Sequence, residues 1–145
     1  MNLLLAVALW ATVIFPSGNY IQAELALSPA QWQQGLSGRK KLEENKGMLF
    51  VFPESSYQTF WMKDMRFSID IIWIDENFQI VGIEKNVPPC RTSEDKCPLY
   101  SSPLPVKYVL ETKAGKAEKE KLKKGDTLLI SFPSLTSEER ASRLP

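Results

Sequence analysis

Two short apolar runs set the limits within which this chain can fold. Met48 to Phe52 reads MLFVF and is closed by Pro53, and Ile69 to Ile74 reads IDIIWI, interrupted only by Asp70. Apolar runs this short, bounded by turn signals, suit strands rather than helices, and they lack the alternation of a strand with one wet face. Each needs cover on both faces, which calls for a sheet with packed material above and below. The 145 residues, 43% of them hydrophobic, are enough for such a core, since a chain of this length buries roughly two thirds of the surface its unfolded form exposes.

The flanking segments extend the pattern. Ile21, Ala23, Leu25 and Leu27 alternate with Gln22 and Glu24 as a half-buried strand would. Ser28-Pro29-Ala30-Gln31 then starts a helix, with Ser28 as cap, Pro29 at the first position and Gln31 able to return the bond. Trp32 and Leu36 share one face of that helix, and Gly38 is placed to stop it. After MLFVF, a turn over Glu54–Ser56 should return the chain as a hairpin strand, Tyr57–Met62. Ser68–Ile74 and Phe78–Lys85 form a second hairpin across Asp75-Glu76-Asn77, with Asn77 left-handed. Lys107–Glu111 and Thr127–Phe132 read as strands and Ala117–Leu122 as a short lysine-rich helix. The sum is a mainly β domain over residues 16–133, a small antiparallel β-sandwich or barrel-like sheet with two short helices, followed by a flexible tail at 134–145.

Leu3 to Phe15 is an uncharged run of 13 residues, short of the roughly 20 that span a bilayer but suited to an export signal or short anchor over residues 1–15. The same run, residues 3–15, could associate with a membrane, and Thr12–Phe15 also fits a β-branched strand. Cleavage after Ala23 would halve the strand that follows, so an uncleaved anchor or a cut near Ala11 is expected. Cys90 and Cys97 are an even pair in one loop and read as a disulfide made in an oxidising compartment. Together these features point to an extracytoplasmic protein, secreted or membrane-anchored.

Several chemistries are excluded. With no histidine, imidazole-dependent triads and dyads cannot be built, and two cysteines fall short of a structural zinc site. No Gly-rich phosphate loop is present. A net charge of +1 supplies no field for nucleic acid. No cofactor or metal is therefore expected.

Three features remain as candidates. Asp70 sits among isoleucines and a tryptophan, where a carboxylate is costly without a partner, so it should find a cation, with Lys63, Arg66 and Arg39 the nearest, or a hydrogen-bonding partner, or else stay protonated. FWMKDM, Phe60 to Met65, reads as strand residues facing two packed layers and a Lys63-Asp64 turn. Its other reading is an aromatic shelf, with a wet Trp61 or Phe60 beside Lys63. Finally, Glu84, Asp75 or Glu111 could pair with Asp70 as hydrolytic carboxylates.

Taken in order, GLSGR (Gly35–Arg39), GMLFVF (Gly47–Phe52), FWMKDM, SIDIIWID (Ser68–Asp75), YVLE (Tyr108–Glu111) and KKGD (Lys123–Asp126) closely resemble the bacterial and archaeal family called domain of unknown function 192. The resemblance spans Tyr20 to Phe132 and implies a small, mostly β domain, often behind an export signal or anchor, with no established activity. Members usually carry proline where Ser68 stands, and the two cysteines lie outside the shared pattern. The functional expectation is a non-catalytic binding module for a small molecule, glycan or peptide. Its pocket would be rimmed by Arg39, Met62, Lys63, Asp64 and Asp70, with the proline-rich loop Pro88–Pro105 as a lid. The alternative is a histidine-free hydrolase using Asp70 with a second carboxylate.

Overall fold

The computed structural model describes residues 7–134. In chain order the described residues form β1 (Trp10–Ile14), β2 (Tyr20–Ala26), α1 (Pro29–Gln34), β3 (Lys46–Ser56), β4 (Thr59–Phe60), β5 (Ile69–Ile74), β6 (Ile80–Val87), β7 (Tyr100–Ser101), β8 (Val106–Lys113), α2 (Lys116–Lys119) and β9 (Leu129–Ser131). Seven strands make one sheet in the order β6-β5-β8-β3-β2-β1-β9, and β4 and β7 form a separate two-stranded sheet.

The fold is mainly β, as expected, but the large sheet is mixed and does not close into a barrel. β2 and β3 run parallel, from Gln22 opposite Lys46 to Ala26 opposite Phe50, because α1 and the segment after it carry the chain back before β3 begins. The other ladders are antiparallel. The sheet curls until its two ends meet at a single bridge between Gln79 and Thr127.

Both faces of the central strands are covered. In β5, Ile72 and Ile74 belong to one core cluster with Val13, Ile21 and Leu110, while Ile69, Ile71 and Trp73 belong to a second with Phe50, Met62 and Val109. MLFVF divides the same way, with Leu49 in the first cluster and Met48, Phe50 and Phe52 in the second. Period-two alternation thus gives each run two buried faces.

Four expectations change. The amino-terminal apolar run contributes β1, which pairs with both β2 and β9, and Ala11, Val13 and Phe15 are buried. The folded unit therefore includes Trp10–Phe15 rather than starting at residue 16, and a cut near Ala11 would remove Trp10 from its ladder with Glu24. Residues 1–6, the start of the expected export segment, lie outside the described residues, as does the expected tail from residue 135.

Second, Tyr57–Met62 does not return alongside β3. Both edges of β3 are already taken, by β2 and β8, so the short β4 pairs instead with β7 from the proline-rich loop. Third, α1 ends at Gly35 (φ 47) rather than Gly38, with the Gly35 N–H donating to the Gln31 carbonyl. Ser28 caps as expected, while the Gln31 side chain reaches one residue further back and accepts from the Leu27 N–H at 2.8 Å. Fourth, in the β5–β6 turn the left-handed residue is Phe78 (φ 63), not Asn77. Asp75 Oδ1 accepts from the Asn77 and Gln79 N–H groups at 2.9 Å each, which fixes the turn one residue later.

Candidate functional site

An aromatic-lined concavity lies between α1, β3 and β4, on the side of the sheet that holds the second core cluster. Its volume is about 330 Å3, and its walls carry Trp32, Phe50, Phe52, Phe60 and Trp61, with Glu111 at the floor. Each wall follows from local sequence. α1 presents Trp32 toward the sheet, its indole N–H donating to the Ala26 carbonyl at 3.0 Å and its ring 5.0 Å from that of Phe52. β3 projects Phe50 and Phe52 together by alternation, and Phe60 of β4 meets Phe50 edge-on at 4.8 Å and Trp73 at 5.7 Å.

Glu111 sits on β8 opposite Met48 of β3 and Ile71 of β5. It is only 5% exposed, and Gly35 closes over it: a Cβ added there would come within 3.3 Å of the Phe50 ring and 3.9 Å of Glu111 Oε1. Among the described residues, none of the side-chain hydrogen bonds or salt bridges engages its carboxyl. Burial without compensation pushes its pKa up to about 8, because the charged form loses hydration and gains no partner. At neutral pH it is mainly a carboxylic acid, a donor as well as an acceptor.

The FWMKDM turn closes one end of the concavity. Trp61 is 41% exposed, and the Lys63 ammonium lies 5.5 Å from its ring centroid. The shelf reading of this segment is therefore realised at Trp61, whereas Met62 is buried in the second core cluster. Lys63 and Asp64 form the turn, with Asp64 at φ 59. They line a smaller hollow beside Gln33, Gln34 and Ser37, residues that also border the main concavity. Bonds from the Gly38 N–H to the Asp64 carbonyl, 2.9 Å, and from the Ser37 hydroxyl to the Lys63 carbonyl, 3.3 Å, tie this turn to the end of α1.

The remaining candidates lie elsewhere. Arg39 pairs with Glu24 at 2.7 Å and borders a separate hollow with Trp10 and Lys46. Asp70 is fully buried, but its partners are not cations. Its Oδ1 accepts from the N–H groups of Asn86 at 2.9 Å and Gly115 at 3.3 Å, and its Oδ2 from that of Ala117 at 2.8 Å. Three main-chain donors satisfy it, the hydrogen-bonding alternative of the expectation, in place of Lys63, Arg66 or Arg39. Lys63 is engaged with Glu94. In β5, Asp70 alternates with Ile71, which faces the same way as Glu111, so the two carboxyls lie on opposite faces of the sheet and cannot flank one bond. Asp75 is committed to its own turn.

The proline-rich loop also has a different place. Among the described residues, none from 88 to 105 lines the main concavity. Instead the loop braces its wall: β7 pairs with β4, the Cys90 N–H donates to the Met62 carbonyl at 3.1 Å, and Lys63 bonds Glu94. Cys90 and Cys97 are joined as a disulfide, as expected.

Glu111 is the residue that sequence reasoning underweighted. The signal was its phase: it shares a strand face with Val109, an apolar residue of an apolar strand, so its side chain had to be buried with Val109 if that face was.

A protein-family model, DUF192, described as uncharacterized ACR, matches residues 12–130. No curated protein matches the chain. Among solved structures, a proposed transcription regulator from Sinorhizobium meliloti 1021 shares 31% identity with a TM-score of 0.73, covering 85% of this chain and 93% of its own. A protein of unknown function from Novosphingobium aromaticivorans DSM 12444 shares 26% identity with a TM-score of 0.75, covering 89% and 90%.

Proposed function

The chain belongs to the DUF192 family, and we propose that it is a non-catalytic ligand-binding domain acting outside the cytoplasm, with its site in the aromatic concavity above Glu111. The observation that carries this reading is the pairing of five aromatic rings with one buried, unpartnered carboxyl in a hollow of about 330 Å3. An apolar pocket with few polar groups is the usual form of a small-molecule site, and leaving a largely buried carboxyl unpaired costs stability that packing alone would not require. Lys63 and Asp64 line the adjoining hollow, and Met62 is buried in the second core cluster. Arg39 and Asp70 have structural partners and drop out of it.

The hydrolytic alternative is less favoured, since Glu111 lies on the opposite face of the sheet from Asp70 and Asp75 is bonded within its own turn. The Cys90–Cys97 disulfide is consistent with an oxidising compartment, and the amino-terminal segment supplies a candidate membrane attachment. The transcription role described for the Sinorhizobium protein is not carried over, because a formal net charge of +1 gives no global field toward DNA.

A fragment panel of small molecules, monosaccharides and short peptides, followed by the indole N–H resonances of the four tryptophans, tests the site. Ligands should shift Trp32 and Trp61 together and leave Trp10 in place. Shifts confined to Trp10, beside Arg39, would move the site to the other hollow.

A further inference from the structure

We infer that the concavity takes an organic cation, an alkylated ammonium group seated against the aromatic rings and neutralised by Glu111. The inference rests on the binding reading above and names its ligand class. Three observations point to it. The residues lining the hollow include one acidic side chain and no lysine or arginine. That side chain is 95% shielded from solvent and has no protein partner among the described residues. The walls are aromatic, lined by Trp32, Phe50, Phe52 and Phe60, with Trp32 packed on Phe52 at 5.0 Å and Phe50 on Phe60 at 4.8 Å.

A quaternary or tertiary ammonium matches this set better than a neutral ligand. Ring faces attract cations through their quadrupoles, and the attraction strengthens when the cation is desolvated. An alkylated ammonium is cheap to desolvate because its charge is spread under methyl groups, and it asks for no hydrogen bonds that the walls cannot return. A neutral polyol would leave Glu111 protonated and would gain one hydrogen bond from it. The Lys63 ammonium near Trp61 shows one ring of this site already accepting a cation, and its bond to Glu94 at 2.7 Å offsets its charge at the rim.

The proton balance gives the inference a distinctive signature. A fixed cation binds the ionised carboxylate, so each binding event at neutral pH releases the proton that burial holds on Glu111. None of the other side chains lining the hollow titrates near neutrality, and the neighbours facing Glu111 from α1, β3 and β5 are Gly35, Phe50, Met48 and Ile71. The charged groups at the rim are Lys63, Asp64 and Glu94.

The experiment titrates the intact protein with tetramethylammonium and with its neutral isostere tert-butanol, reading the Trp32 and Trp61 indole resonances. Tetramethylammonium should shift both, with an affinity rising about tenfold per pH unit from about pH 5 to 7, and E111Q should weaken it at least about tenfold. tert-Butanol should bind more weakly and without pH dependence. Equal binding of the two probes, a neutral monosaccharide preferred over both, or unchanged affinity in E111Q with native spectral dispersion would overturn the cation while leaving the site. If nothing in the wider panel moves Trp32 and Trp61, the site itself fails.

Discussion

Glu111 and Asp70 are both buried carboxyls one strand apart, and they behave in opposite ways because of what the backbone offers each. Asp70 meets three main-chain N–H groups, from Asn86 at the end of β6 and from Gly115 and Ala117 around the start of α2, and so fastens those segments to β5. Glu111 lies in the aromatic concavity with Gly35 over it and finds no such donor among the described residues. Its folded-state pKa of about 8 against 4.5 in the open chain makes this one group's contribution to stability greatest in acid. Below about pH 4.5 both states hold the proton and the contribution is complete; between there and about 8 the unfolded chain releases it while the folded chain keeps it, and stability falls. The loss runs near 1.4 kcal/mol per pH unit, on the order of 5 kcal/mol in all. Urea unfolding from acid to alkaline pH should show this slope in the native protein and lose it in Glu111→Gln, whose advantage should be greatest at alkaline pH. An equal slope in both would mean that Glu111 is ionised in the fold.

At the scale of elements, the main wall of the site is held by neighbours distant in sequence. β4 is two residues long and cannot stand alone; its partner β7 comes from the loop that the disulfide closes. That closure also holds Cys90 against the Met62 carbonyl and Glu94 against Lys63. Replacing both cysteines by serine should lower stability by about 2.5 kcal/mol, the chain-entropy value for a loop of eight residues. It should also loosen the Trp61 end of the concavity, seen as broadening of the Trp61 indole resonance with Trp10 unaffected. A stability loss without any change at Trp61 would separate the loop from the site.

For the whole molecule, β1 joins the carboxy-terminal strand β9 to the rest of the sheet, and Ala11, Val13 and Phe15 are fully or almost fully buried. A chain beginning at Pro16 should therefore fail to fold, since it would expose the β2 edge and leave β9 without its ladder; circular dichroism and proteolysis would report it. Native-like folding of that truncation would return residues 10–15 to a dispensable leader. The sequence alone determined the strands of the core, because runs as short as MLFVF and IDIIWI, bounded by turn signals, suit strands covered on both faces, and it determined the Ser28 cap and the cysteine pair, because these depend on residues a few positions apart. The concavity, the parallel β2–β3 pair and the contrasting roles of Asp70 and Glu111 were decided only in the tertiary structure. Each depends on which strand edge lies against which, and on which main-chain donors arrive from 16 to 47 residues away, information that no local pattern carries.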